Sequence, residues 1–227
     1  MEVSLIITED GSHTLFNAKL GDIYHSKFGA ISESEHIFIN AGLVRLTSTH
    51  KSICILEVGF GTGLNALLTC LRAQNNKTQI SYHAIEPFPL SEKIYSKLNY
   101  AGLITETGVH HILMELHGSE ENRETAITQY FSLLKLNTTI GDFQPDDLVY
   151  DLVYFDAFSP DVQPQLWTTP TFKKIFKAMK PGGILVTYSS RGMVKKCLTE
   201  AGFQIEKLPG PKGKREFIRA IKPGQFM

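Results

Sequence analysis

Short apolar runs alternate with amphipathic stretches along most of this chain, and the alternation sets in at Ser52. Ile53–Val58 reads as a strand. Leu64–Gln74, apolar at helical spacing, reads as the helix that follows it. Ile80–Glu86 and Leu90–Ala101 repeat the pair, and Phe131–Leu136 is a third strand ending near Gly141-Asp142. Leu152–Phe155 is fully apolar, as in strands buried on both faces. Thr171–Met179 reads as a helix stopped by Lys180-Pro181-Gly182-Gly183, and Ile184–Tyr188 as a fifth strand. Gly192–Ala201 is helical, and Phe203–Lys207 with Phe217–Ala220 makes a closing strand pair. The polar stretch from Glu106 to Tyr130 reads as helix plus loop.

Before Ser52 the pattern differs. Val3–Asn17 alternates and breaks at Asp10-Gly11, a hairpin signal, and Asp22–Ser26 reads as a loop or short strand. Ser32 is placed to cap a helix that runs through Gly42, with Ile37, Phe38 and Ala41 on one face. The whole predicts an α/β fold: a doubly wound, mostly parallel sheet with right-handed crossovers. Residues 1–51 are expected to form a small hairpin-and-helix extension packed on the core, and residues 52–227 the main domain.

Composition narrows the classes. No apolar run approaches the roughly 18 residues of a membrane span. Met1 to Asp10 lacks the basic and long apolar regions of a signal peptide. Cys54, Cys70 and Cys197 have no paired metal spacing, so no metal site is expected and the thiols read as reduced, in a cytoplasmic protein. The net charge of zero conceals an asymmetry. Residues 1–167 carry 10 Lys/Arg against 20 Asp/Glu, whereas residues 168–227 carry 13 against 3. A basic last quarter suits either an anionic macromolecular partner or a face of solvated lysines.

The candidate chemistry lies at strand ends. Gly59-Phe60-Gly61-Thr62-Gly63 follows the first strand and opens a helix, the layout that cradles a nucleotide-like cofactor. A dinucleotide fingerprint wants G-x-G-x-x-G, but Leu64 stands where its third glycine belongs. With Glu57 two residues before the first glycine, the turn fits S-adenosylmethionine better than NAD. In doubly wound sheets ligands bind at the carboxyl ends of the strands. That rule selects Glu86 for the ribose hydroxyls, Asp142 for the adenine amino group and Asp156 at the mouth of the cleft. Asp156-Ala157-Phe158-Ser159-Pro160 is stiffened by Pro160 and Pro164, and Phe158 offers a flat face to a base.

The strings Leu56-Glu57-Val58-Gly59-Phe60-Gly61-Thr62-Gly63-Leu64-Asn65, Glu86-Pro87-Phe88-Pro89-Leu90 and Phe155-Asp156-Ala157-Phe158-Ser159-Pro160 carry a family likeness. So do Lys180-Pro181-Gly182-Gly183, Gly213-Lys214-Arg215-Glu216, Tyr24-His25-Ser26 and the helix around Glu33 to Ile39. Together they resemble the methyltransferase module of the bacterial tRNA-modifying enzyme MnmC, across nearly the whole chain. The resemblance implies methyl transfer from S-adenosylmethionine to the aminomethyl nitrogen of 5-aminomethyl(-2-thio)uridine at the wobble position. It implies no metal and, in a stand-alone form, no FAD-dependent oxidase domain. Glu57, Gly59, Gly61, Gly63, Asn65, Glu86 and Asp142 are then expected to bind the cofactor. Asp156 is expected to orient the amine and accept or relay its proton, staying ionised beside the cationic sulfonium. Tyr24 is a candidate for closing over the site. Phe158 is expected against the base, and Arg191, Lys212, Lys214 and Arg215 against phosphates of the tRNA anticodon stem-loop. The rival readings are an aminopropyl- or methyltransferase acting on a small molecule, a dehydrogenase, and a non-catalytic RNA-binding module. The oligomeric state is left open, and a monomer is compatible with the pattern.

Overall fold

The computed structural model describes residues 3–224. The chain positions 1–2 and 225–227, at the outer edges of the two expected domains, lie outside the described residues. Three short strands come first: β1 (Val3–Ile7), β2 (His13–Asn17) and β3 (Asp22–Ile23), joined as an antiparallel sheet in that order. A continuous helix, α1 (residues 30–47), follows. Its middle, Glu35–Leu43, is π-helical between α-helical turns Ala30–Ser34 and Val44–Thr47. Ile37, Phe38, Ile39 and Leu43 of α1 are buried in the same core as Tyr154 and Val186 of the main sheet.

Ser32 does not cap this helix. The helix starts at Ala30, and Asp10 from the β1–β2 turn reaches across to its first turn. Asp10 Oδ2 accepts from the Ser32 N–H (3.0 Å) and hydroxyl (2.8 Å). A carboxylate supplied from another element satisfies orphan donors as well as a local Ser does, and it adds favourable charge at the helix N-terminus. Burial works to raise Asp10, but donors from Ser12, Ser32 and Thr8 outweigh it and bring it down to about 2.

The main sheet has eight strands: β4 (Ser52–Val58), β5 (Gln79–Ile85), β6 (Glu124–Thr128), β7 (Phe131–Leu136), β8 (Tyr150–Phe155), β9 (Met179–Thr187), β10 (Gln204–Pro209) and β11 (Glu216–Ile221). Their order is β10-β11-β9-β8-β4-β5-β7-β6. The inner strands β9, β8, β4, β5 and β7 are parallel, whereas β11 and β6 run against their neighbours. Helices α2 (Leu64–Asn76), α3 (Glu92–Tyr95), α4 (Val109–Gly118), α5 (Thr169–Ala178) and α6 (Gly192–Ala201) complete the doubly wound α/β fold. The strand order reverses beside β4, between the crossover to β5 and the later return to β8. This is the switch point where such sheets open a crevice.

Two further expectations need correction. The helix expected over Leu90–Ala101 shrinks to the single turn α3 and a 3₁₀ turn at Tyr100–Gly102. Asn99 interrupts it: the side chain accepts from the His13 N–H (2.8 Å) and donates to the Gly11 carbonyl (2.9 Å), pinning this stretch to the first hairpin. The polar stretch before Tyr130 contains a strand, β6, pairing with β7 at the sheet edge. An edge strand half open to water needs little apolar content, so its composition conceals it.

Candidate active site

The carboxyl ends of β4, β5 and β8 open into a cleft of about 960 Å³. The end of β2, the β2–β3 connection and the stretch after β3 line it with Asn17, Leu20 and Tyr24 respectively. At its floor, Gly59 N–H donates to the Ile85 carbonyl (3.0 Å) and Asp156 N–H to the Val58 carbonyl (3.0 Å), stapling three strand ends together. Gly59 has φ +95°, and a Cβ there would lie 2.6 Å from the Asp156 carbonyl oxygen, so only glycine fits. Gly61 packs under the Tyr24 ring, and Gly63 sits at the N-cap of α2.

Glu86, just past β5, holds the turn from the other side. Its Oε2 accepts the Gly61 N–H (3.0 Å) and its Oε1 the Phe88 N–H (2.9 Å). Burial nevertheless pushes its carboxyl above the usual range. The Asn65 amide links two further carboxylates, donating to Glu57 Oε1 (3.0 Å) and Asp156 Oδ2 (2.9 Å). Asn65 Oδ1 has no hydrogen-bond partner among the described residues, although Asn65 lines the cleft. Glu57 is fully buried beneath the cleft rather than in its lining, and burial pushes it well above the ordinary carboxylate range. Its place is to hold Asn65.

Asp156 lines the cleft. Burial, then the nearby charge of Glu33, raise its carboxyl to about 7, against the lowering effects of Asn65 and Lys214. The protein's own groups therefore leave it poised between protonated and ionised near neutrality, not firmly ionised. The expectation of an ionised carboxylate considered the sulfonium alone; desolvation by the protein acts in the opposite direction. Phe158 and Tyr24 meet edge to face above it, with ring centres 4.9 Å apart. Burial and the charge of Glu86 push the Tyr24 hydroxyl up to about 12. Trp167 belongs to the core, packed on Phe155 and Phe172, and its ring N–H donates to the Phe158 carbonyl (2.8 Å), which braces the loop.

Other expected residues are placed elsewhere. Asp142 is exposed and accepts from the Thr139 hydroxyl (2.7 Å); the cleft wall at this strand end is Thr139, Ile140 and Gly141. Arg191 lies outside the cleft, paired with Asp161, and Lys212 is paired with Glu9 at 2.8 Å. Arg215 is exposed beside the same turn. Lys214 points inward and lines the cleft, 2.5 Å from Glu33. Among the described residues, eight of the 13 basic residues after residue 167 are in ion pairs, five of them with acids of the first part of the chain. Much of the charge asymmetry is thus complementarity within the molecule.

The sequence reading did not single out Glu33, His25 and Tyr188 as site residues, yet all three line the cleft. Glu33 had a legible signal, since it stands one helical turn before the buried Ile37, a carboxylate on a buried face. The neutral His25, pushed down to about 4 chiefly by burial, bonds to the Thr14 hydroxyl (3.0 Å) and lies 3.4 Å from that of Thr62.

A family model described as S-adenosyl-L-methionine-dependent methyltransferase matches residues 107–223. Curated proteins called tRNA 5-methylaminomethyl-2-thiouridine biosynthesis bifunctional protein MnmC are similar over nearly all of the chain. The one from Nitrosospira multiformis is 29% identical over 92% of this chain and 36% of its own length. That from Burkholderia mallei is 30% identical over 95% and 35%. The chain therefore spans about a third of the length of these relatives. Among solved structures, MNMC2 from Aquifex aeolicus superposes with a TM-score of 0.80 and 27% identity, covering 100% of this chain and 73% of that one. Spermidine synthase from Thermotoga maritima, at 8% identity and a TM-score of 0.54 over 98% of this chain and 72% of that one, shares the fold.

Proposed function

The chain belongs to the S-adenosyl-L-methionine-dependent methyltransferase family, and from that premise we propose that it methylates the aminomethyl nitrogen of 5-aminomethyl(-2-thio)uridine at the tRNA wobble position. The observation that carries an amine acceptor is the charge of the cleft. Its lining holds four carboxylates, Asp22, Glu33, Glu86 and Asp156, against two lysines, Lys19 and Lys214. Such a surface attracts a cationic sulfonium and an amine and repels an acidic acceptor. The tRNA substrate is supported by the likeness to the MnmC relatives.

The residues present fit the cofactor. Glu86, already fixed by two backbone donors, keeps lone pairs for the ribose hydroxyls. The unpartnered Asn65 Oδ1 suits the ammonium of the amino-acid end, and the Gly59–Gly63 turn allows close backbone approach. Thr139–Gly141 borders the base end in place of the Asp142 carboxylate. When bound, S-adenosylmethionine supplies an activated methyl on sulfur, so the protein's task is chiefly alignment. Asp156, held by Asn65, orients the acceptor amine and takes its proton. Tyr24 and Phe158 close over the acceptor and exclude water. Lys212, Arg215 and Arg191 meet the anticodon stem phosphates around the rim, contacts that set affinity and salt dependence.

The functional test is direct. The protein is incubated with S-adenosylmethionine and tRNA carrying the aminomethyl nucleoside, and the digested nucleosides are weighed by mass spectrometry. The expected product is the nucleoside heavier by one methylene. Transfer to a free polyamine with none to tRNA overturns the assignment. Glu86→Ala is expected to weaken cofactor binding by about 1–3 kcal/mol in calorimetry, because the ribose loses a charged acceptor. Unchanged affinity removes Glu86 from the site.

A further inference from the structure

Lys214 and Glu33 come from opposite parts of the chain and meet in the cleft that Asp156 also lines. Their ion pair is largely enclosed: the Glu33 side chain is 8% exposed and that of Lys214 26%. Glu33 also accepts the Ser26 N–H (2.8 Å), which fixes the loop that carries Tyr24 and His25. Lys214 Nζ lies 4.2 Å from the centre of the Tyr188 ring, and the Tyr188 hydroxyl donates to the Ala157 carbonyl (2.8 Å) next to Asp156. The pair is therefore tied on one side to the loop that lines the cleft with Tyr24 and His25, and on the other to the segment that carries Asp156.

We propose that Lys214 and Glu33 are a positioning pair that sets how readily Asp156 accepts the proton of the incoming amine. The inference rests on the methyl transfer to an amine proposed above. Glu33 alone beside Asp156 is a second negative charge, which favours the protonated acid. Lys214 offsets it and keeps the acid available as an acceptor. The other groups facing Asp156 are Asn65 from α2, Glu57 and Tyr82 from β4 and β5, and Tyr188 after β9. Of these, only Glu57 is a carboxylic acid, and burial pushes it well above the usual range. Glu33 and Lys214 are thus the charged groups through which the acceptor is tuned.

The test compares the parent with Glu33→Gln, Lys214→Met and the double variant, which leaves neither partner stranded. Two titrations are recorded: the single-turnover rate of methyl transfer to aminomethyl tRNA, and the ¹³C carboxyl signal of Asp156, assigned by its disappearance in Asp156→Asn. Glu33→Gln is expected to move both midpoints down by about one pH unit, and Lys214→Met to move both up by about as much. The double variant falls between them. A staple that merely holds the fold lowers stability without moving the midpoints in opposite directions. Midpoints that stay put, or that move the same way in both single variants, overturn the proposal. Should the parent transfer no methyl group to tRNA while the carboxyl signal shifts as described, the functional reading fails and the hold of the pair on Asp156 stands.

Discussion

Asp156→Asn is expected to lose between about a hundredfold and ten-thousandfold of its turnover, the usual worth of a positioned proton acceptor, while its affinity for S-adenosylmethionine stays within a few-fold of the parent. The Asn amide carbonyl can still accept from Asn65, so the loop geometry survives; what is lost is the site for the proton. In the parent, activity rises with pH through about 7 as Asp156 ionises. A second rise, belonging to the acceptor amine, remains in the variant. Stability is expected to move the other way. The folded carboxyl is raised above its unfolded value, so its contribution is full below the unfolded pKa and is lost as pH rises through about 7. The variant carries no such penalty. Its melting temperature should therefore exceed that of the parent at pH well above 7, and the gap should shrink in acid. Single-turnover kinetics near those of the parent, or a stability gap independent of pH, would remove Asp156 from the acceptor role.

Gly59→Ala is expected to be the most damaging small substitution in the cleft, costing about 2–5 kcal/mol from backbone strain and overpacking together. The added methyl meets the carbonyl of Asp156 at 2.6 Å, and the obstacle is main chain rather than a side chain able to swing away. Relief requires parting β4 from β8, and that breaks the bond of the Asp156 N–H to the Val58 carbonyl. Cofactor binding and turnover should both fall. Gly118→Ala at the end of α4 is the matched control: a Cβ there meets nothing within 4 Å, and alanine is the better helix former. Chemical denaturation distinguishes the two. Equal stabilities for these variants would show that the Gly59 turn yields more easily than its contacts indicate.

The parts of this molecule that were legible in the sequence are those dictated locally. Buried parallel strands must be apolar on both faces, so Ile53–Val58 and Leu152–Phe155 announced themselves, and with them the strand ends where Gly59, Glu86 and Asp156 stand. What stayed hidden was set by distant contacts. Asn99 ends a helix because it binds Gly11 and His13, and Asp10 caps one that begins at Ala30. Asp142 occupies the expected stretch of chain but turns outward to Thr139, since proximity in sequence does not decide which way a loop side chain points. Lys214 looked like one more surface cation in a basic segment. Only the tertiary fold brings it to Glu33, and no spacing rule reaches across so much chain.

The turn between β10 and β11 gives the site an order of assembly. Its neighbours are synthesised far ahead of it: the Pro209 carbonyl pairs with His36 at 2.8 Å, Lys212 with Glu9, and Gly213 is pressed against the Phe28 ring. On the ribosome, Gly59, Glu86 and Asp156 emerge well before this turn, and at common elongation rates the interval is several seconds. Through that time a nascent chain has the strand ends proposed to hold the methyl donor, while Glu33 waits for Lys214. The proposed donor and acceptor halves are thus separated in time as well as in space, and the second closes only when these later residues return to the earlier ones.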